Sequence, residues 1–187
     1  MSELRAGTAV APTSVTLEGY LTEWLQMVKP QLRETTWASY VVAVGRITWG
    51  LGSRKLQALT AIEVERFYAK LVNEGGPAGR PLAPKTVRNT HIVLHRALAD
   101  AERLRLVMRS VAHLARPPAV PHVERATWTA DELRTFLQHV DGDRLFIAYV
   151  LLATTGMRRG EVFGLRWRDV DLVARRVALP PPAAVGR

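Results

Sequence analysis

The spacing of apolar side chains predicts that the first part of the chain folds into four helices. Apolar residues recur three and four positions apart, which is the period of a helix with one buried face. Start and stop signals flank these runs: Thr16 can cap the first and Pro30 ends it, Thr60 and Glu63 form a capping box before the third, and Pro84 suits the first turn of the fourth. The four predicted helices cover about 16–29, 35–50, 60–72 and 84–104.

The second part of the chain follows a proline-rich stretch and begins with helices again. Residues 116–122 (RPPAVPH) show no periodicity and predict an extended linker. Thr129 and Glu132 make a second capping box, so a helix is predicted from Ala130 to about Val140. Residues 144–154 are almost all apolar and predict a helix that is buried on most sides.

Beyond this apolar helix the pattern predicts little regular structure. Residues 169–171 (DVD) predict a turn, and residues 175–179 alternate in polarity as a strand does. The chain then runs into a proline-rich end at 180–187. These elements give a mainly α fold with a flexible lead-in at 1–14, a four-helix domain at 15–115, a linker at 116–126 and a second domain at 127–187.

Charge changes this picture, because the basic residues cluster. The chain has 26 Lys and Arg against 17 Asp and Glu, for a net charge of +9. Between residues 75 and 120 eight basic residues stand against two acidic ones. A basic stripe of this kind favours a polyanionic partner, most often nucleic acid. The alternative is a basic protein from an arginine-rich proteome, whose charge reflects that composition.

Composition excludes several kinds of chemistry. The chain has no cysteine, which rules out disulfides, thiolate metal sites and a cysteine nucleophile, and the five histidines have no metal-ligand spacing. The longest apolar run is too short to span a bilayer, and the N-terminus lacks the pattern of a signal peptide. We therefore expect no metal, no membrane partner and a cytoplasmic location.

The fourth predicted helix carries the basic stripe on one side. On a helical wheel its apolar residues gather opposite a set of long polar side chains that covers roughly a third of the circumference. Such a stripe suits contact with DNA phosphates, and Arg88 and Asn89 could also reach base edges in a major groove. The alternative is a solvated helix face. The predicted DNA-binding residues of this helix are Lys85, Arg88, Asn89, Arg96 and Arg103.

A second candidate site lies where Arg158 and Arg159 follow the apolar helix. Gly156 breaks the helical pattern, and the two arginines come at the start of the next helical turn. Arginine is unfavourable at the positive end of the helix dipole, so its presence there suggests that a negative group lies opposite. The alternative is an ordinary solvated helix start.

Residues 155–162 (TGMRRGEV), followed by GLRW at 164–167 and DVD at 169–171, resemble the first conserved box of tyrosine recombinases, the phage-type integrases. In the N-terminal half, Trp24-Leu25 with Thr36-Trp37 and Tyr40, then LAPKTV at 82–87 and LHRAL at 94–98, resemble the core-binding domain of that family. The resemblance covers roughly Val15 to Leu179. It implies a SAM-like four-helix core-binding domain, followed by the incomplete start of an α+β catalytic domain.

The resemblance also implies an activity and site residues. The family breaks and rejoins DNA through a covalent phosphotyrosine, without metal or nucleotide cofactor. By the resemblance, Arg158 is a catalytic arginine that clamps the scissile phosphate, Glu161 is a structural support for it, and Thr36 joins the DNA-binding set. A guanidinium suits the role because it stays charged and matches two phosphate oxygens.

The family's other catalytic groups, a lysine, a His-x-x-Arg pair, a further His or Trp and the tyrosine nucleophile, all belong C-terminal to the first box. After Arg158 the chain has no lysine, histidine or tyrosine, so no nucleophile is assigned. We therefore expect a C-terminally truncated integrase that binds attachment-type sites in double-stranded DNA on the nucleoid, together with other recombinase protomers, and does not cut alone. The alternatives are a non-catalytic DNA-binding regulator that reuses the core-binding helices, and a structural helical protein with no nucleic-acid partner.

Overall fold

A computed structural model of the protein describes residues 12–122 and 124–178. The chain divides into two compact units, 1–122 and 123–187. Most of the predicted lead-in at 1–14 lies outside the described residues, as do the proline-rich end at 180–187 and Leu179. The domain bounds expected from the sequence, 15–115 and 127–187, are not tested by this division and stay a prediction.

The first unit contains the four predicted helices. These are α1 (Leu17–Val28), α2 (Glu34–Leu51), α3 (Ala61–Glu74) and α4 (Pro84–Arg103). The capping signals are confirmed: the Thr16 hydroxyl accepts from the backbone N–H of Gly19, and Thr60 and Glu63 form a reciprocal capping box. Four short 3₁₀ turns lie in the described part of this unit, residues 12–122. They are Lys29–Gln31, Leu56–Ala58, Pro77–Gly79 and Val111–His113.

The core of the first unit lies between α4 and the other three helices. Two hydrogen bonds join α1 to α4: the buried Tyr20 hydroxyl donates to the carbonyl oxygen of Ala97 at 2.6 Å, and Trp24 Nε1 donates to Asp100 at 2.9 Å. The Trp24 indole also stacks on the ring of Tyr40 from α2, with 5.8 Å between ring centroids. These contacts fix the rotation of α4, and so decide which of its sides faces solvent.

Gly50 marks the closest approach of α2 to α3. A Cβ atom at this position would lie 2.4 Å from Cδ2 of Phe67, inside the contact distance of two carbon atoms. Phe67 is buried, at 3% exposure, so its ring has little room to move. The glycine therefore allows the end of α2 to lie against the ring.

Within residues 124–178 the second unit contains three α-helices, a 3₁₀ turn at Trp167–Asp169 and a small sheet. The helices are α5 (Ala130–His139), α6 (Phe146–Thr155) and α7 (Arg159–Gly164), and the strands are β1 (Val170–Asp171) and β2 (Arg176–Val177). The strands pair antiparallel with Val170 opposite Val177 and Asp171 opposite Arg176. One strand and a turn at 169–171 were predicted; residues 170 and 171 instead form the partner strand, because β2 supplies their ladder hydrogen bonds.

The prediction that the apolar helix is buried on most sides is wrong. Each residue of α6 is half-buried or exposed, and Ile147 is 67% exposed. The reason is that few elements pack on this helix: within residues 124–178, α5 and α7 pack most extensively against it. Met157 and Val162 are the buried residues among those described in this unit. In the described part of the chain, none of the helices combines the length and apolar character needed to cross a membrane.

Candidate nucleic-acid interface

The first turns of α4 present an exposed polar face. Lys85, Arg88 and Asn89 are all exposed, because the apolar residues of the helix are drawn into the core on the opposite side. Pro84 opens the helix, and Ala83 before it makes no capping hydrogen bond through its side chain, as expected from its methyl group. The face therefore combines two cations with an amide that can both donate and accept.

The last turns of α4 differ, because their arginines are bound within the unit. Arg96 is half-buried: its Nη1 donates to the Tyr40 hydroxyl at 2.9 Å, and its guanidinium lies 5.6 Å from the centroid of that ring. Arg103 is exposed, but its Nη2 and Nε both donate to Oδ1 of Asp100, at 3.0 and 3.2 Å. These two predicted DNA-binding residues therefore also hold the fold.

Asp100 lies at the centre of the contacts made by the last turns of α4. Its carboxylate accepts from Trp24 of α1 as well as from Arg103. Partial burial acts to raise the pKa of Asp100, but the hydrogen bonds from Trp24 and Arg103 and the positive charge of Arg96 outweigh it, so that the pKa is lowered. Asp100 thus stays ionised and keeps its hold on both helices.

A groove runs between α2 and α4 beside the exposed face. The groove has a volume of about 540 Å³ and is open to solvent. Its lining includes Asn89 and Thr86 from α4 and Arg46 and Ser39 from α2. Thr36, also predicted to contact DNA, is half-buried in the first turn of α2. No signal in the sequence selected Arg46, because its position relative to α4 depends on how the two helices pack.

Three of the five histidines lie in a file along α4 and the following 3₁₀ turn, and Tyr68 of α3 stands at one end of it. Tyr68 and His91 are joined by a 2.7 Å hydrogen bond through Nδ1, and the His91 and His95 rings are 5.8 Å apart. His95 Nε2 and His113 Nδ1 are 3.0 Å apart. His113 Nε2 then lies 3.9 Å from Glu102. The sequence showed these histidines as scattered, and no signal in it predicted the file.

Burial, the neighbouring His95 and the charge of Arg88 lower the pKa of His91. The neutral ring therefore predominates near neutral pH, and its Nδ1 can accept from the Tyr68 hydroxyl. Burial raises the pKa of Tyr68, which keeps that hydroxyl protonated as the donor. Within residues 12–122 and 124–178, no group of three or more His, Asp or Glu side chains could hold a metal ion.

Arg158 and Glu161 form a compact unit at the start of α7. The backbone N–H of Arg158 donates to Oε2 of Glu161 at 2.7 Å, and Nη1 of Arg158 lies 3.1 Å from Oε1. The first of these hydrogen bonds, and then the side-chain one, lower the pKa of Glu161. The Arg158 side chain is 86% exposed. The carboxylate thus holds the arginine in place while its guanidinium remains accessible from solvent.

Gly156 sets the direction in which the chain leaves α6. It caps that helix with φ of +68°, a left-handed conformation that residues with a Cβ adopt at a cost. Arg158 follows two residues later at the N-cap of α7. The sequence indicated a break at this glycine, and the structure shows that it is a left-handed helix cap.

Comparison with known proteins matches part of the first unit to a known domain family. The family model described as the N-terminal SAM-like domain of phage integrases matches residues 16–72. These residues span α1, α2 and most of α3. The predicted SAM-like fold of this part of the chain is thus confirmed.

Relatives extend the match along most of the chain. An integrase of Streptomyces ambofaciens is 26% identical over 177 residues, covering 94% of this chain and 44% of the relative. A XerC-like tyrosine recombinase of Caldanaerobacter subterraneus subsp. tengcongensis is 22% identical over 174 residues, covering 91% and 44%. The chain is a relative of integrases and tyrosine recombinases, as its motifs predicted. It spans about 44% of the length of these curated relatives.

Solved structures show the same fold. A lambda integrase dimer bound to a COC′ core site superposes with a TM-score of 0.69 at 20% identity, covering 91% of this chain and 47% of that one. The Tn1549 transposon integrase in complex with a circular intermediate DNA gives 0.70 at 19% identity, covering 92% and 56%. The mainly helical fold class is therefore confirmed.

Proposed function

We propose that the chain is the DNA-binding part of a site-specific tyrosine recombinase that acts in DNA integration and recombination. Its partner would be double-stranded DNA carrying an attachment-type site, bound on the nucleoid together with other recombinase protomers. The observation that carries the proposal is the exposed face of Lys85, Arg88 and Asn89 on α4. Related integrases solved with DNA have the same fold.

The exposed face supports two kinds of contact with a duplex. Lys85 and Arg88 carry charge that can approach phosphates, which gives affinity without regard to sequence. Asn89 can pair in a bidentate manner with an adenine in the major groove. Arg46, across the groove on α2, is half-buried and adds charge beside this face.

In the second unit we propose that Arg158 contacts the scissile phosphate and that Glu161 positions it. The exposure of the guanidinium and its hydrogen bond to Glu161 support these roles. Clamping of this kind stabilises the extra negative charge on the phosphate oxygens in the pentacovalent transition state, and loss of one such donor costs about 10²–10³ in rate. No cofactor enters this chemistry in the proposal.

We further propose that this chain does not cleave DNA by itself. The sequence has no tyrosine after Arg158. Tyr149, in α6, is half-buried and packs edge-on against Phe136 with 5.4 Å between centroids, which supports a packing role. The sparse covering of α6 also fits one part of a larger catalytic domain.

The binding face is tested by charge removal. Replacing Lys85 and Arg88 together by alanine should weaken binding to all duplexes and reduce the slope of log K against log salt by about 2, since each phosphate contact contributes about 0.9. The matched control replaces Lys55 and Arg66, exposed basic residues outside α4, and should leave the slope almost unchanged. Equal effects from both pairs would show that binding is not localised on α4.

Cleavage is tested with a nicked attachment-site duplex that traps a covalent intermediate. The full chain should give no protein–DNA adduct on a denaturing gel, and an adduct would refute the proposed lack of activity. A monodisperse chain that bound one sequence selectively, but failed to bind the cleavage site of the intact recombinase, would instead favour a non-catalytic regulator.

A further inference from the structure

The groove between α2 and α4 contains two exposed apolar side chains that the core does not use. Val42 of α2 and Ile92 of α4 both line the cavity of about 540 Å³, and each is 53% exposed. Below them the groove is lined by the buried side chains of Ala43, Thr90 and Val93. The groove is therefore mainly apolar, although its lining includes Arg46 and Asn89.

Phosphate binding does not account for this apolar strip. Lys85, Arg88 and Arg46 supply the positive charge, and an exposed valine or isoleucine adds nothing to their attraction for a phosphate. Ile92 lies three residues after Asn89 on α4, so both side chains project from the same side of the helix. A ligand that meets this side of the helix therefore encounters an amide and then an aliphatic group.

Double-stranded DNA offers a matching pattern. In the major groove an A·T pair shows an adenine edge that an asparagine can bind in a bidentate manner, and the C5-methyl of thymine as an apolar group. The surrounding basic charge favours DNA over an apolar protein segment as the occupant. The strip and the amide together fit base edges, whereas the cations fit the backbone.

We propose that Val42 and Ile92 contact thymine methyl groups and so determine part of the sequence specificity of this chain. The inference rests on the proposed function, because it requires that the α2–α4 face binds duplex DNA. Asn89 then contacts an adenine, and Ile92 contacts the methyl of a thymine at a neighbouring base pair. The bound site therefore carries at least one A·T-rich step opposite α4.

The test removes single methyl groups from the DNA. Duplexes that bind the full chain are first selected from a random library, and each thymine in the preferred site is then replaced by deoxyuridine, which lacks only the C5-methyl. At the contacted positions this replacement should weaken binding about fourfold, the effect expected from exposing one methyl group to water. Ile92→Ala or Val42→Ala should remove the difference between thymine and uracil at one of these positions.

A matched control separates this effect from a general loss of apolar surface. Ile62, on α3, is 57% exposed and does not line the groove. Ile62→Ala should keep the full preference for thymine over uracil. If it lost that preference as Ile92→Ala does, the assignment to the groove would be overturned.

The remaining outcomes distinguish the inference from the proposed function. Sequence-selective binding that does not change when thymine is replaced by uracil would overturn the inference and leave the DNA-binding function in place. A preference for thymine that persists in both groove variants would overturn the assignment of Val42 and Ile92. A full chain that binds no duplex above background would refute the proposed function and the inference together.

Discussion

Two glycines in α2 should respond in opposite ways to the same substitution. Gly45 is exposed in the middle of the helix, and a Cβ placed on it meets nothing within 4 Å. Gly45→Ala should therefore stabilise the first unit by about 0.5–1 kcal/mol, through the helix propensity of alanine and the reduced freedom of the unfolded chain. Gly50 is five positions further along the same helix, where the new methyl group would overlap Phe67.

The overlap reverses the sign at Gly50. The added Cβ would lie 2.4 and 2.5 Å from two ring carbons of Phe67, which is buried between helices. Forcing extra volume into a packed site costs about 1–3 kcal/mol. After the propensity gain is subtracted, Gly50→Ala should destabilise the unit by up to about 2 kcal/mol, so that the two variants differ by about 1–3 kcal/mol.

Urea unfolding of the full chain, followed by circular dichroism, measures the free energy of unfolding of both variants. Because both sites lie in α2, they report on the same transition. Phe67→Leu supplies a control, since removal of the ring should abolish most of the penalty at Gly50 and give a coupling energy of about 1 kcal/mol or more. If Gly50→Ala stabilised the chain as much as Gly45→Ala, the close approach of α2 to α3 would be refuted.

Three further predictions concern a helix cap, a histidine and a buried hydroxyl. Gly156→Ala should destabilise the second unit by about 1–2 kcal/mol, measured by its unfolding, because the left-handed conformation is costly with a Cβ; no change would contradict the cap. The pKa of His91 is lowered in the folded state, so its contribution to stability is fully present above the ordinary value of 6.5 and is lost as the pH falls from there through the folded pKa. Unfolding measured between about pH 7 and about pH 5 should show this loss in the native chain and a smaller one in His91→Gln, and equal losses would exclude His91. Within residues 12–122 and 124–178 the buried hydroxyl of Ser110 has no hydrogen-bond partner, so Ser110→Ala should leave the stability unchanged or raise it by about 1 kcal/mol, and a clear loss in the same assay would contradict this.

The helices of the first unit could be predicted from the sequence because their signals are local. Thr16, Thr60 and Glu63 act within one turn of the helices they cap, and the apolar period predicted the core face of α4. The same period predicted one continuous basic stripe on that helix. It could not show that Arg96 binds Tyr40, because the two residues are 56 positions apart in the chain.

In the second unit the predicted burial of α6 was wrong, because burial depends on the elements that pack against the helix. The apolar run of α6 predicted a buried helix. A helix is buried only where other elements pack against it, and its own sequence does not show how many elements do so. The resemblance to tyrosine recombinases implied Glu161 as a support for Arg158, and the two side chains do pair at the start of α7. The histidine file was missed because His113 reaches His95 only through the turn that follows α4.

Under the proposed DNA-binding function, the difference between the exposed first turns and the internally bonded last turns of α4 has a consequence for how new target sites could evolve. Lys85, Arg88 and Asn89 can be exchanged at little cost to stability, because their side chains project into solvent. Arg96 and Arg103 cannot be exchanged so freely, since each is tied to a residue that also contacts Trp24. Mutations that retarget the protein should therefore accumulate in the first turns of α4, while its last turns change slowly. Variants selected in the laboratory for binding to a new DNA site should likewise carry their substitutions in the first turns of α4 and not in the last turns.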